Sequence, residues 1–524
     1  MKRLVFLCRG FAVLLAGLIV SGVLVAPAVA AETENLAYMP AREQIKRFKA
    51  GTLSPVDVLQ AQIARVYQYN GELNTTGEPI WKYLEHNGKV NGITYEHFDE
   101  AMKMAKESEK RYRNGTARPL EGITVAVKDE HAVKGWRVTY GSADFANALP
   151  CPDDAPIIEK LRAAGAVLHM QTTIPEYFLN FSTFTKMWGV TRNPWNMDFS
   201  TGASSGGSGA VLAAGFTTLA TGTDIGGSIR FPSAMNGLYG FKPPLGRVAT
   251  SEIAYETSGP MARTFDDMVL MQGVIAGPHP DVQTSLRPAM VYPSTYGSLK
   301  GVKVAVDYFD DWIPGGVDAE ARKALSDAVE VLRQQGAIVE EVKLGWTYEN
   351  TYQPYVDLMT VTLGDDLKLL KWRIDGTPYT FEALKMIRPV ETARAMKAGQ
   401  ELSAKLHGDM QKKVFGTGAI ALLMPTVATP YYPVLTGPND KVLASGNRAV
   451  TGFEQMLTYP WNLMNRYPVV SVPVGIAKNN VPLGMQVVGN TYDDLAAFRV
   501  AAAYSQAGLK LYSGTNYPDF RNMK

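Results

Sequence analysis

Between Thr201 and Phe231 the chain reads TGASSGGSGAVLAAGFTTLATGTDIGGSIRF, a denser run of glycine and hydroxyl residues than any other stretch. Small residues let backbone amides come close to one another and to a ligand, and the apolar residues on either side keep the run inside a folded body. Ser204, Ser205, Ser208 and Ser228 can thereby gather hydroxyls and N–H donors at one point. That is the makeup of a nucleophile site.

The surrounding chain supplies alternating strands and helices. Pro40 to Gln68 has a 3.6-residue apolar period broken at Gly51-Thr52, and Phe98 to Tyr112 is a charged amphipathic helix. Ile123 to Val127 (ITVAV) is β-branched and reads as a buried strand with Lys128 at its end. A helix from Ala155 to Ala164 and a strand from Ala166 to Met170 follow. Within the glycine–serine stretch, Gly209 to Gly215 reads as helix, Thr217 to Thr221 as strand and Ile229 to Met235 as helix, which sets Ser228 at a helix start. Further strands are expected at Val302 to Val306, Ala419 to Met424, Val469 to Val474 and Met485 to Val488. Asp318 caps a helix stopped by Gly336, and Asp493 to Ala507 forms another. The expected fold is α/β, a large mixed β-sheet flanked by helices on both faces, with a helical insertion at about residues 355–415.

The first thirty residues differ from the rest. Lys2, Arg3 and Arg9 precede an apolar run, and Ala28-Val29-Ala30 offers a cleavage site, so residues 1–30 read as a signal peptide and residues 31–524 as a single domain. Export to the periplasm or beyond is the expectation, with no stable membrane anchoring once the signal is removed. The chain then keeps 49 Lys and Arg against 50 Asp and Glu, a balance that recruits no nucleic acid. Of the two cysteines only Cys151 lies beyond the signal, so no internal disulfide is expected. The six histidines are scattered without ligand spacing, which implies no metal, and no cofactor motif stands out.

A serine nucleophile needs a base within hydrogen-bond reach and donors for the oxyanion that it creates. Gly202-Ala203-Ser204-Ser205-Gly206 matches the nucleophile-elbow pattern, yet that route needs a late histidine, and His407 is the last in the chain and sits among helical charges. A phosphate cradle would need the P-loop lysine, and the glycines at Gly416 and Gly418 precede a strand instead of following one. The remaining route is a serine activated by lysine.

Here the sequence resembles the amidase signature family. The likeness is carried by GASSGGSGAVLAAG, by GTDIGGSIRFPSAMNGLYGFKP and by the upstream VAVKDE, together with TRNPWN, LMPT, VPVG and PLGMQVVG elsewhere. It extends from roughly Pro40 to Ala507. It implies that Ser228 is the nucleophile, Ser204 a bridging serine that follows a cis peptide bond, and Lys128 the base. The backbone N–H groups of Ile225, Gly226, Gly227 and Ser228 would form the oxyanion hole. A lysine base must shed its proton, so an ordinary value of about 10.4 has to fall toward 7 or 8, which burial can supply. Asp224 and Arg230 are read as braces of the turn.

The implied activity is hydrolysis of a carboxamide C–N bond through an acyl-enzyme, releasing ammonia or an amine, on a small-molecule amide. A homodimer is compatible with it. Phe178, Phe181 and Trp188 are candidates to line a pocket for an aryl or long acyl group. Departures from the family's usual wording include Ala203 where glycine is common, Gln171, Pro244, and Asn465-Arg466-Tyr467. Of these, Arg466 is a candidate anchor for a substrate carboxylate. The alternatives are an exported substrate-binding relative without turnover, or the amidase subunit of an amidotransferase.

Overall fold

The computed structural model describes residues 35–71, 89–250, 253–364, 376–386, 390–444 and 448–523. The signal-peptide expectation and part of the expected insertion lie outside these residues. Eleven strands form the main sheet: β1 (Ile93–Glu96), β2 (Thr124–Lys128), β3 (Val167–Thr172), β4 (Leu219–Asp224), β5 (Tyr239–Lys242), β6 (Thr257–Ala262), β7 (Lys303–Val306), β8 (Ile338–Glu341), β9 (Ala421–Pro425), β10 (Val469–Ile476) and β11 (Pro482–Gly489). Their order across the sheet is β1-β3-β2-β4-β6-β5-β10-β11-β9-β7-β8. Parallel pairs (β3 with β2, β2 with β4, β9 with β7, β7 with β8) flank an antiparallel centre, which makes the sheet mixed.

The helices are α1 (Ala41–Ala50), α2 (Pro55–Tyr69), α3 (Phe98–Arg113), α4 (Pro156–Ala163), α5 (Gly206–Ala213), α6 (Arg230–Met235), α7 (Phe265–Ile275), α8 (Ala319–Gln334), α9 (Tyr348–Thr362), α10 (Pro378–Met386), α11 (Thr392–Lys413), α12 (Pro460–Leu463) and α13 (Asp494–Ala507). On one face α4, α7, α8 and α13 pack Leu161, Met268, Leu325 and Phe498 into a cluster with Val125, Leu168, Phe241 and Val470 of the sheet. On the other, Val211 and Leu212 of α5 meet Ala126, Met170 and Ala220, while α9, α11 and α12 cover Leu422, Met424 and Val469. Leu36–Lys524 is one compact unit.

Strand alternation decides where the lysine goes. Val125 and Val127 belong to the first face and Ala126 to the second, so Lys128, two positions beyond Ala126, faces the α5 side. That is the side on which the glycine–serine stretch runs.

Several boundaries follow from local chemistry. The break after α1 is a left-handed Gly51 at φ 67°, and α2 then restarts with a capping box of Ser54 and Asp57. Asp318 caps α8 by accepting from Glu320 N at 2.9 Å, as the sequence suggests. Several elements are displaced from their expected positions, β11 for one opening at Pro482 ahead of Met485. β4 starts at Leu219, not Thr217, and Thr218 Oγ1 just ahead of it accepts from Gln44 and Gln62 (both 3.0 Å) in a buried polar cluster. α5 starts at Gly206, not Gly209, and its glycines are there for close packing. A Cβ on Gly207 would lie 2.4 Å from both Thr173 N and Thr173 O, and one on Gly206 would lie 2.1 Å from Thr183 Oγ1. The helical insertion opens earlier than expected, where Thr347 caps α9 by accepting from Asn350 N at 3.1 Å.

The tightness at α5 is testable. Gly207→Ala must push α5 off the end of β3, and a loss of about 1 to 3 kcal/mol of stability is expected, read as a lowered midpoint in chemical denaturation. An unchanged midpoint would show that the helix and strand can separate freely.

Candidate active site

The turn after β4 is built around one carboxylate. Asp224, fully buried, accepts from the backbone N–H groups of Gly227 (2.9 Å), Ile229 (3.1 Å) and Arg230 (3.4 Å), from Arg230 Nε and Nη2 (3.0 and 2.7 Å), and from Asn462 Nδ2 (2.9 Å). Arg230, also fully buried, reaches on to Thr458 O and Gln486 Oε1 (both 2.8 Å) and to Asn462 Oδ1 (2.7 Å). Burial alone would raise the Asp224 pKa, but Arg230 and Asn462 outweigh it and hold the carboxyl below its ordinary value. The bracing role expected for these two residues matches this network.

The Gly227 N–H, one of the four donors expected for an oxyanion hole, points to Asp224 Oδ1 in this structure (2.9 Å). Gly227 has another constraint: at φ 131° its Cβ position would lie 2.1 Å from Thr458 Oγ1. The carbonyls of the turn are held from outside, with Tyr355 of α9 donating to Ile225 O (3.0 Å) and Thr458 donating to Gly226 O. Both carbonyls are thereby held toward protein donors.

Lys128 and Ser204 are brought together under this turn. Lys128 Nζ lies 2.9 Å from Ser204 Oγ, with relative exposures of 0% and 2% for the two residues. The peptide between Ala203 and Ser204 is cis. Ser228 is half-buried and lines a pocket, and its carbonyl accepts from Ser205 N at 3.2 Å. Lys128 Nζ also meets Thr223 Oγ1 at 2.5 Å and Glu130 Oε2 at 3.0 Å. Sequence reasoning singles out neither residue, although Glu130 stands in VAVKDE itself.

Two more buried groups adjoin the lysine. Burial pushes the Asp129 carboxyl up to about 7, with Thr139 N (2.9 Å) and Thr139 Oγ1 donating to it. His131 sits with its ring nitrogens 3.1 Å from Thr221 Oγ1 and 3.1 Å from Ser258 Oγ, and burial lowers it to about 4. It is therefore neutral near pH 7. Among the described residues no group of three or more His, Cys, Asp and Glu side chains is placed to hold a metal ion.

The pocket over Ser228 is lined by Phe178 and Phe181, by Tyr352, Tyr355 and Met359 of α9, and by Phe453 and Met456, with Phe181 and Phe453 in edge contact (ring centroids 4.6 Å apart). No described lining residue carries a charge. Of the sequence candidates, Phe178 and Phe181 line it and the other two do not. Trp188 is buried elsewhere, where its indole N–H donates to Thr139 Oγ1 (3.0 Å), the residue that holds Asp129. It packs instead of lining. Arg466 is exposed and borders a separate cavity with Tyr255 and His407, so it does not reach this pocket. The α9 wall carries a signal in its spacing: Tyr352, Tyr355 and Met359 recur every three or four residues, a stripe easily read as ordinary packing.

Comparison with known proteins gives a consistent picture. A family model described as Amidase matches residues 78–497. A glutamyl-tRNA(Gln) amidotransferase subunit of Carboxydothermus hydrogenoformans is 32% identical, covering 90% of this chain and 98% of that protein. Its counterpart of the same name in Ralstonia pickettii is 28% identical over 87% and 98%. Among solved structures, a bacterial aryl acylamidase belonging to the amidase signature family superposes with a TM-score of 0.78 at 25% identity, covering 90% of this chain and 97% of that one. A 6-aminohexanoate cyclic dimer hydrolase shares the fold at TM-score 0.75 and 24% identity, covering 93% and 100%.

Replacing Arg230 with Met should strand the buried Asp224 carboxylate and cost about 3 to 5 kcal/mol of stability at neutral pH. Since the folded Asp224 pKa is depressed, its share of the stability is present above about pH 4 and is lost as the pH falls through the folded value. Denaturation curves at pH 7 and at progressively lower pH check both points: the gap between Arg230→Met and wild type should narrow on acidification, and a gap independent of pH would contradict the ion-pair account.

Proposed function

This chain belongs to the amidase family, and from that premise we propose that it is a Ser-Ser-Lys hydrolase of carboxamides whose acyl part is apolar. The observation that carries the reading is the uncharged aromatic pocket that ends on the half-buried Ser228, with Ser204 and Lys128 buried 2.9 Å apart behind it.

In the proposed reaction Ser228 Oγ attacks the amide carbon while its proton passes to Ser204 Oγ, and the Ser204 proton passes to Lys128 Nζ. The carbonyl oxygen becomes an oxyanion and meets the N–H groups of Ile225, Gly226 and Ser228. Each well-placed donor of this kind contributes about 2.7 to 4 kcal/mol to the transition state. The same relay run backwards protonates the leaving nitrogen, which departs as ammonia or an amine. Water then attacks the acyl carbon and gives a proton to the relay, and as the bond to Ser228 Oγ breaks the relay returns a proton to that oxygen and the acid leaves. The proton has a carrier at every step within these three side chains.

A second reading has support of its own. The curated relatives are amidotransferase subunits, and their names back an amidotransferase amidase subunit more directly than a free-standing hydrolase. Against it stands the pocket: free glutamine carries an ammonium and a carboxylate, and the described walls beside Ser228 have no charged partner for either. The amino-terminal layout of Lys2, Arg3, an apolar run and Ala28-Val29-Ala30 supports a further part of the proposal, that the enzyme is exported.

Purified protein assayed alone should hydrolyse aryl or long-chain acyl amides with a kcat/KM well above that for glutamine, and the reverse preference would favour the amidotransferase reading. Ser228→Ala should lower turnover on the best amide by roughly 10⁴-fold or more without changing the melting temperature. Lys128→Ala should be similarly inactive. Substantial turnover by Ser228→Ala would overturn the nucleophile assignment.

A further inference from the structure

Lys128 Nζ has three close oxygen neighbours, and they are not equivalent. Thr223 Oγ1 donates its single hydrogen to Glu130 Oε2 at 2.7 Å, so toward Lys128 Nζ, at 2.5 Å, it acts as an acceptor. Glu130 Oε2, 3.0 Å from Lys128 Nζ, belongs to a carboxylate and also accepts. These two contacts take up two N–H bonds of the lysine nitrogen. The third close neighbour is Ser204 Oγ at 2.9 Å. The valence facing Ser204 is therefore the one whose content changes: a third hydrogen in the ammonium, a lone pair in the amine.

Resting on the Ser-Ser-Lys reading, we propose that Glu130 is a positioning residue for the reaction: with Thr223 it aims the lone pair of Lys128 at Ser204, and its negative charge sets the pH below which that lone pair is occupied by a proton.

The surroundings fit an anion at Glu130. Its side chain is 16% exposed. Burial opposes ionisation, yet the Lys128 charge, foremost among several neighbours that include the Thr223 hydroxyl, outweighs it, and the carboxyl is held below its ordinary value. The other titratable groups nearby do not neutralise it. Asp129 is occupied by Thr139, His131 is neutral down to about pH 4, and the Tyr140 phenol is raised by burial and by Glu130 itself. From the segment entering β6, the protonated carboxyl of Glu256 donates to the Glu130 carboxylate, which stays the accepting anion. The Phe178 ring centre, 5.1 Å from Lys128 Nζ, closes the pocket side.

The test is the pH profile of kcat/KM on the best amide. Glu130→Gln keeps an acceptor oxygen but removes the charge. The proton on the lysine is then held less tightly, so the acid limb should move to lower pH by about 1 to 3 units. A limb superimposable on that of wild type would overturn the proposal. If Glu130→Gln does not fold, Glu130→Asp is read instead: it keeps the charge but shortens the reach by one methylene. The limb should then stay in place while kcat falls by about 10- to 100-fold, and an unchanged kcat would overturn the aiming role. Lys128→Ala separates this inference from the reading beneath it. Full activity of Lys128→Ala would overturn both, whereas an inactive Lys128→Ala beside a wild-type profile for Glu130→Gln would overturn the role of Glu130 alone.

Discussion

The buried pair of Asp224 and Arg230 is the contact on which the rest of this site depends. One carboxylate gathers three backbone N–H groups of the turn that carries Ser228, and one guanidinium ties the same turn to Thr458, Asn462 and Gln486. These partners come from α12, from β11 and from the loop before α12, far along the chain. A buried ion pair gains little stability over apolar packing unless its remaining hydrogen-bonding capacity is met. Here it is met, and the return is geometric: the turn cannot rotate without breaking several charge-assisted bonds together.

The order of the sheet explains why chain-distant groups meet. β2, which ends in Lys128, pairs with β4, which ends in Asp224 just before the turn, and α5 follows the Ser204 segment directly across this pair. Two adjacent parallel strands thus deliver an amine and a glycine turn to the same edge. The glycines of α5 let that helix lie against β3 at a distance that no side chain would allow. Packing density, not loop freedom, accounts for most of the small residues there.

Much of this is legible in the sequence. The parity of ITVAVK places the lysine on the correct face, the hydroxyl-rich stretch marks the turn, and the long α/β alternation marks the sheet. What is not legible is whatever depends on long-range contact. Trp188 is aromatic and near Phe181 in the chain, but its N–H is drawn to Thr139 on the far side of the loop. Arg466 shares the region of α12 yet opens onto another cavity. The commitment of the Gly227 N–H to Asp224 follows from a backbone orientation that residue types do not reveal. Glu130 escapes notice because a carboxylate beside a lysine ordinarily reads as a solvated pair. Only the closure of the turn above it, with Thr223 alongside, makes it an inner neighbour.

The wall of the pocket has a divided origin. The proposed reacting groups and Phe178 and Phe181 come from the chain up to Ser228, whereas Tyr352, Tyr355 and Met359 come from the helical insertion, more than a hundred residues later. The α9 part of the wall is thus distant in sequence from the proposed proton relay, whereas Phe178 and Phe181 share the relay's segment. Tyr355 joins the two segments, since its hydroxyl holds Ile225 O. Substitution at its α9 neighbours alters the pocket wall alone, whereas substitution of the tyrosine also releases a carbonyl of the turn that carries Ser228.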